Sequence, residues 1–336
     1  MFVSFRPSTS LMPRRIVSLL SMASLALAGV FVTPAAQAQW PEQSIRLVVP
    51  FPPGGLADLV ARPLAEKLSI ALKQPVVVEN RGGASGTLGT AHVAASKPDG
   101  YTLLFATANE IAVSPILYPN LRYTPFDSFT PIASVVDFPS VLVTAPNKPA
   151  TYQALVADVK AHPGCVSFAS SGAGTTNHLM AELFREAENT QVLHVHYKGG
   201  GPAMADVAAG HVDAMFATLP SALGQIRGGS FQAIAVSSPK RSAALPDVPS
   251  LVELGRPELA VTIWAGVLAP ADLPSEITRR LNKEIGRIAQ DPQFKRFLEQ
   301  HGATLRFSSP EGLKQSIAEH YQRWSKTIQS AGIALN

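Results

Sequence analysis

The sequence predicts an α/β fold of two similar lobes, on three observations. Short apolar β runs alternate with helix-length amphipathic stretches from residue 45 to 107, the same rhythm starts afresh near residue 141, and a helical tail closes the chain. Strands alternating with helices at this pace mean a parallel or mostly parallel sheet covered by helices on both faces.

Ile45 to Val49 is a short apolar strand ended by Pro50-Phe51-Pro52-Pro53-Gly54-Gly55, and a helix is expected from Ala57 to Leu72, with Leu59, Val60, Leu64 and Leu68 at helical spacing. Pro75 restarts the chain as a strand, Val76 to Asn80. A Gly-rich turn from Arg81 to Gly86 leads to a helix ending at Ala95, and after the turn Lys97-Pro98-Asp99-Gly100 comes a third strand, Tyr101 to Thr107. The second lobe opens with a strand over Val141 to Ala145. It continues with helices over 152–162, 177–187, 202–209 and 221–227, and strands over 166–169, 192–195, 214–217 and 232–236. The tail carries an apolar segment, Trp264 to Leu268, then helices over 275–289, 292–301 and 310–331. It is expected to pack back onto the first lobe, with the chain crossing between lobes near 135–140 and 260–265.

The first 38 residues have the make-up of a secretory signal: Arg6, Arg14 and Arg15, an apolar run from Ile16 to Val32, then Pro34 and Ala36-Gln37-Ala38, with cleavage expected after Ala38. The run is short of the roughly 20 residues a bilayer needs. The protein is therefore expected in the periplasm as a soluble body. The whole chain holds 28 Lys+Arg and 24 Asp+Glu; without the three leader arginines, 25 basic residues face 24 acids, a formal net charge of +1. A nucleic-acid partner would want a clustered basic face, and the basic residues are scattered. The single cysteine, Cys165, cannot form an internal disulfide and is expected to be a small buried hydrophobe.

In open α/β sheets ligands sit beyond the carboxyl ends of strands, where helix N-termini point. Three turns suit that role. Pro52-Pro53-Gly54-Gly55 ends the first strand, with Asp58 placed to cap the next helix. Ser170-Ser171-Gly172-Ala173-Gly174-Thr175-Thr176 presents hydroxyls and N–H groups together, a neutral cradle for an anion. Tyr197-Lys198-Gly199-Gly200-Gly201-Pro202 adds one cation. Catalytic patterns are absent: Ala169 and Ala173 break the G-x-S-x-G elbow around Ser171, and neither H-E-x-x-H, a P-loop nor G-x-G-x-x-G occurs. His194-Val195-His196 puts two imidazoles on one side of a strand and could bind zinc if a carboxylate joined them. Such a pair more often lines a half-buried edge, and no metal or cofactor is expected.

At these loops the sequence resembles the solute receptors of tripartite tricarboxylate transporters, the periplasmic Bug family. The blocks that carry the resemblance are Ile45 to Gly55 with Asp58, Gln74 to Arg81, Pro98 to Leu104, Tyr197-Lys198-Gly199, Leu219-Pro220-Ser221-Ala222 and Ala244 to Pro249. It implies a two-lobed type II periplasmic-binding-protein fold, two α/β domains with a central cleft. Domain 1 would be 39–138 and 264–336, and domain 2 would be 139–263. It implies a monomeric receptor, not an enzyme, that captures a small carboxylate (a di- or tricarboxylate, an aromatic acid or an amino acid) and delivers it to the membrane permease subunits. A sensory partner of a membrane kinase and a periplasmic hydrolase are the alternatives. Carried over by position, the ligand-binding residues are Phe51, Pro53, Gly54, Gly55, Leu56 and Ala57 in the first loop, and Thr107, Asn109 and Glu110 beyond the third strand. Ser171, Gly172, Gly174, Thr175, Thr176 and His178 follow in the second cradle, with Thr218 at its border. Leu56 and Ala57 stand where small or hydroxyl residues are common in the family, Ala217 where polar or acidic ones are, and His196 where proline is. Glu110 has two readings. Facing the cleft, it would favour an aminated or amide ligand; otherwise it caps or solvates the helical turn that begins near Ala108.

Overall fold

The computed structural model describes residues 1–5, 40–118 and 120–333; beyond Phe5, the export segment expected over 1–38 lies outside them. The chain divides into two compact units, Met1–Trp40 and Pro41–Asn336, and every element named below belongs to the second. Among the described residues no helix is long and apolar enough to cross a membrane.

In chain order the elements are β1 (Ile45–Val49), α1 (Leu56–Leu72), β2 (Val76–Asn80), α2 (Thr87–Ala94), β3 (Thr102–Thr107) and, after a π-turn over Asn109–Val113, the single turn α3 (Ser114–Leu117). The long strand β4 (Phe129–Thr144) follows, then α4 (Tyr152–Ala161), β5 (Ser167–Ser170), α5 (Thr176–Ala187), β6 (Leu193–His196), α6 (Gly200–Ala208), β7 (Ala214–Thr218), α7 (Leu219–Arg227) and β8 (Gln232–Val236). The chain ends with β9 (Thr262–Pro270), α8 (Ser275–Ala289), α9 (Pro292–Gln300), β10 (Thr304–Leu305) and α10 (Pro310–Ser330). The helices form where the pattern asks for them: α1 buries Val60, Leu64, Leu68 and Leu72, and α8 buries Leu281, Ile285 and Ile288, each a stripe of one helical face. Thr151, Asp291 and Ser309 cap α4, α9 and α10 by accepting from Ala154, Gln293 and Gly312 N–H respectively.

The strands run in the order β2-β1-β3-β9-β4-β7-β5-β6, with β8 and β10 also paired to β4. The expectation of a mostly parallel sheet needs correction. β1 is parallel to β2 and β3, and β5 to β6 and β7, but β9 is antiparallel to both β3 and β4, and β4 to both β7 and β8. The two parallel groups are the two lobes, and β4 joins them. Its residues up to Pro139 pair with β9, whereas Ser140 to Thr144 pair with β7. The strand expected over Val141 to Ala145 thus starts earlier, at Phe129, through two prolines, a residue type that sheets rarely hold away from edges and bulges. The protein accommodates Pro131 at a register shift and places Pro139 where the strand changes partners.

Two further expectations change. Cys165 is exposed, since it still belongs to the turn in which its N–H donates to the His162 carbonyl, before β5 begins. The tail does not confine itself to the first lobe. Trp324 and Ile328 of α10 enter an apolar cluster with Phe168, Phe184, Leu259 and Val261 of the second, as do Val113 and Leu117.

Candidate functional site

A cavity of about 550 Å³ opens where the loops at the strand ends meet. The first-lobe wall is Phe51, Pro52, Pro53, Gly54, Gly55, Leu56 and Ala57, with Thr107 and Asn109 beyond β3. The second-lobe wall is Ser171, Thr175, Thr176 and Asn177 at the start of α5, Gly200, Gly201 and Met204 of α6, Met215, Ala217 and Thr218 of β7, and Ser221 of α7; Ile263 of β9 completes it. Among these lining residues none is charged, yet the first turns of α1, α5, α6 and α7 all reach the cavity. The first N–H groups of a helix have no carbonyl one turn behind them and carry its positive dipole end. Four such termini make a neutral cavity favourable to negative charge.

Buried anchors hold the first-lobe loop. Asp58 accepts from Gly54 N–H at 2.9 Å and from Arg62 Nε at 2.8 Å with one oxygen, and from Asn80 Nδ2 at 2.9 Å with the other. Asn80 also donates to the Phe51 carbonyl at 3.1 Å. Burial would raise the Asp58 pKa, but these donors, Arg62 foremost, outweigh it and hold the carboxyl below its ordinary range. Asp58 therefore reaches back from the third helical position to tie down the glycine turn ahead of it.

The second-lobe loop is held mostly from within. Ser171 Oγ donates to Asn177 Oδ1 at 2.5 Å, and Asn177 Nδ2 donates to the Phe216 carbonyl at 2.5 Å. Thr175 Oγ1 donates to the Gly172 carbonyl at 2.7 Å. Gly172 and Gly174, at φ +139° and +73°, supply backbone conformations that other residues rarely adopt. His178 Nδ1 accepts from Gly174 N–H at 3.0 Å. Gly172, Gly174 and His178 thus shape the loop and stand outside the cavity wall, a departure from the sequence expectation.

Glu110 departs further. Its carboxyl is fully buried and accepts from Thr107 N–H at 2.5 Å and from Thr107 Oγ1 at 2.6 Å. Tyr123 Oη donates to its carbonyl at 2.6 Å. Thr107-x-x-Glu110 is a capping-box pattern, so Glu110 turns away from the cavity to close the helical turn. Burial raises its pKa to about 7, against the lowering effect of the Thr107 bonds.

Gly200, Gly201, Met204, Met215, Ala217, Ser221 and Ile263 line the cavity without having been singled out as ligand residues. The Gly199-Gly200-Gly201 turn was a visible signal for two of them; Met204, Met215 and Ile263 offered none, because apolar residues on helices and strands look like core. The two lobes also touch across the site, where Thr176 Oγ1 donates to Asn109 Oδ1 at 3.1 Å.

A two-lobed α/β body with a neutral cleft ringed by helix N-termini has the build of a solute-binding protein. Residues 60–333 match the model of the tripartite tricarboxylate transporter family receptor, and the chain belongs to that family. It is 38% identical over 319 residues to protein BugT of Bordetella pertussis, covering 93% of this chain and 98% of BugT. Among solved structures, periplasmic binding protein BugD is similar at 36% identity and TM-score 0.74, covering 88% of this chain and 99% of its own. R. palustris Rpa4515 with adipate is similar at 31% identity and TM-score 0.78, with the same coverage.

Proposed function

We propose that the protein captures a small carboxylate in the periplasm and delivers it, chemically unchanged, to the membrane permease of a tripartite tricarboxylate-type transporter. The observation that carries this reading is the cavity itself: no charged residue lines it, while four helix N-termini reach it. Its volume lies within the range of roughly 300–1,000 Å³ common to small-molecule sites. Helix-end N–H groups compensate a carboxylate without a buried ion pair, which favours reversible capture over permanent retention. The adipate held by the R. palustris relative supports a dicarboxylate as the first ligand to try.

In this reading the ligand meets Phe51, Pro53, Gly54, Gly55, Leu56, Ala57, Thr107 and Asn109 on the first lobe and Ser171, Thr175, Thr176 and Thr218 on the second. The first lobe comprises 39–138 and 264–336, the second 139–263, with the end of α10 reaching across. The protein acts as a monomer after removal of residues 1–38. Isothermal titration of the exported protein with a panel of mono-, di- and tricarboxylates, aromatic acids and amino acids tests the function. One saturating ligand recovered unchanged is the expected result. No binder among the carboxylates, or turnover of one, would refute it. N-terminal sequencing should begin at Gln39.

A further inference from the structure

Three histidines and a glutamate meet on the second lobe outside the cavity wall. His178 and Glu182 lie four residues apart on α5 and so share one helix face; His194 stands on the neighbouring strand β6. One donor atom from each of the three lies within 4.8 Å of the others. His194 Nε2 rests against Glu182 Oε1, while its Nδ1, also buried, has no hydrogen-bond partner. A buried polar atom without a partner calls for an explanation. The other oxygen of Glu182 accepts from Arg185 Nε at 2.8 Å, which orients the carboxylate and leaves Oε1 for the cluster. The His196 ring packs against that of His178 at 4.5 Å, and its Nδ1 is bonded to Ser170 Oγ at 2.7 Å.

We propose that His178, Glu182 and His194 form a binding site for a divalent transition metal of the zinc type. Two imidazoles and one carboxylate, with a remaining position for water or for His196, make up a donor set suited to that ion. Arg185 on the second carboxylate oxygen is the kind of outer partner that positions a metal-bound group. Tetrahedral coordination at Zn–N distances of about 2.0–2.1 Å needs donors roughly 3.3 Å apart, so His178 Nε2, now 4.0 Å from Glu182 Oε1, must move in slightly while His194 and Glu182, already in close contact, must part slightly.

The site touches the ligand loop through His178. Coordination through Nε2 requires Nδ1 to carry the proton, and Nδ1 now accepts from Gly174 N–H. Metal binding therefore turns that bond into a clash and shifts the loop from Gly172 to Thr175. The metal site itself does not depend on the proposed solute function.

The test uses the mature protein with Co²⁺ and Zn²⁺ alone and no solute. Titration with Co²⁺ at neutral pH should give one equivalent of visible absorption with the intensity of a four-coordinate site, displaced by Zn²⁺. Zn²⁺ should raise the melting temperature. His194→Ala and Glu182→Gln should each weaken Co²⁺ binding at least about 10-fold, with circular dichroism in EDTA verifying that each variant folds. Should one variant fail to fold, the other and the wild-type spectrum still decide. Absence of a four-coordinate Co²⁺ spectrum, or unchanged affinity in a folded variant, would overturn the proposal.

Discussion

The Ser237 hydroxyl accepts from Ser140 N–H at 2.8 Å and donates to the Val261 carbonyl at 2.6 Å, and Ser237 N–H donates in turn to the Ser140 carbonyl at 2.8 Å. Ser140 is where β4 changes partner from β9 to β7, and Val261 directly precedes β9. One fully buried side chain thus pins together the two strands that pass between the lobes. Removing the hydroxyl strands a buried N–H and a buried carbonyl, which costs on the order of 1–3 kcal/mol. Ser237→Ala should lower the urea midpoint accordingly and broaden the spread of lobe separations seen by small-angle scattering without ligand. An unchanged midpoint would leave Ser237 as a passive residue of the crossing.

Glu110 gives a pH signature. Its folded pKa of about 7 stands above the ordinary 4.5. Below 4.5 both folded and unfolded chains hold the proton and no penalty arises. As pH rises from 4.5 to about 7 the unfolded chain releases the proton more readily, so stability falls, by an amount on the order of 3 kcal/mol, and levels off above. Glu110→Gln keeps one acceptor for Thr107 N–H and adds a donor for Thr107 Oγ1 while removing the titration. Denaturation of both proteins from pH 5 to pH 8 should show the variant gaining on wild type as pH rises. A constant difference would mean that the folded carboxyl titrates like the unfolded one and is already ionised at pH 5, with no raised pKa.

Much of the fold was written in local pattern. The strands at 45–49 and 232–236 and the helix at 275–289 run as their periodicity indicates, because each is unbroken and flanked by turn residues. The first half of β4 was hidden by its prolines, and the antiparallel course of β9 by the fact that strand direction is set by neighbours distant in sequence. In the site, Phe51 to Ala57 were legible because a proline–glycine turn at a strand end announces itself. Which loop residues face inward was not: Gly172 and Gly174 are there for their φ angles, and His178 for its bond to Gly174. The role of Glu110 was present in the sequence as Thr107-x-x-Glu110 and was read as a choice between cleft and cap. His194 and His196 were visible as a pair; that α5 sets Glu182 beside His194 is a tertiary fact with no local trace.

Trp324 tests how far the tail supports the second lobe. It is about 1% exposed and packs in the cluster of Phe168 and Phe184. Trp324→Ala should cost about 3–5 kcal/mol, as large aromatic deletions in cores do. Hydrogen exchange should then show lost protection in α5 as well as in α10. Loss confined to α10 would mean that the helix docks on the first lobe alone.

Asn109→Asp isolates the charge of the ligand. Asn109 lines the cavity and its Oδ1 accepts from Thr176 Oγ1; aspartate keeps that acceptor and nearly the same shape. The change therefore preserves the contact between the lobes and adds one negative charge to a wall that has none. Two unit charges about 5 Å apart at an effective dielectric of about 20 repel by roughly 3 kcal/mol, which corresponds to a loss of about 100-fold in affinity. Exposure to water screens part of this, so calorimetry with a dicarboxylate should show a loss of at least about 10-fold, relieved in part by added salt. A ligand bound through a cationic or amide group at that end would instead bind the variant as well as wild type or better, and would remove a dicarboxylate from consideration.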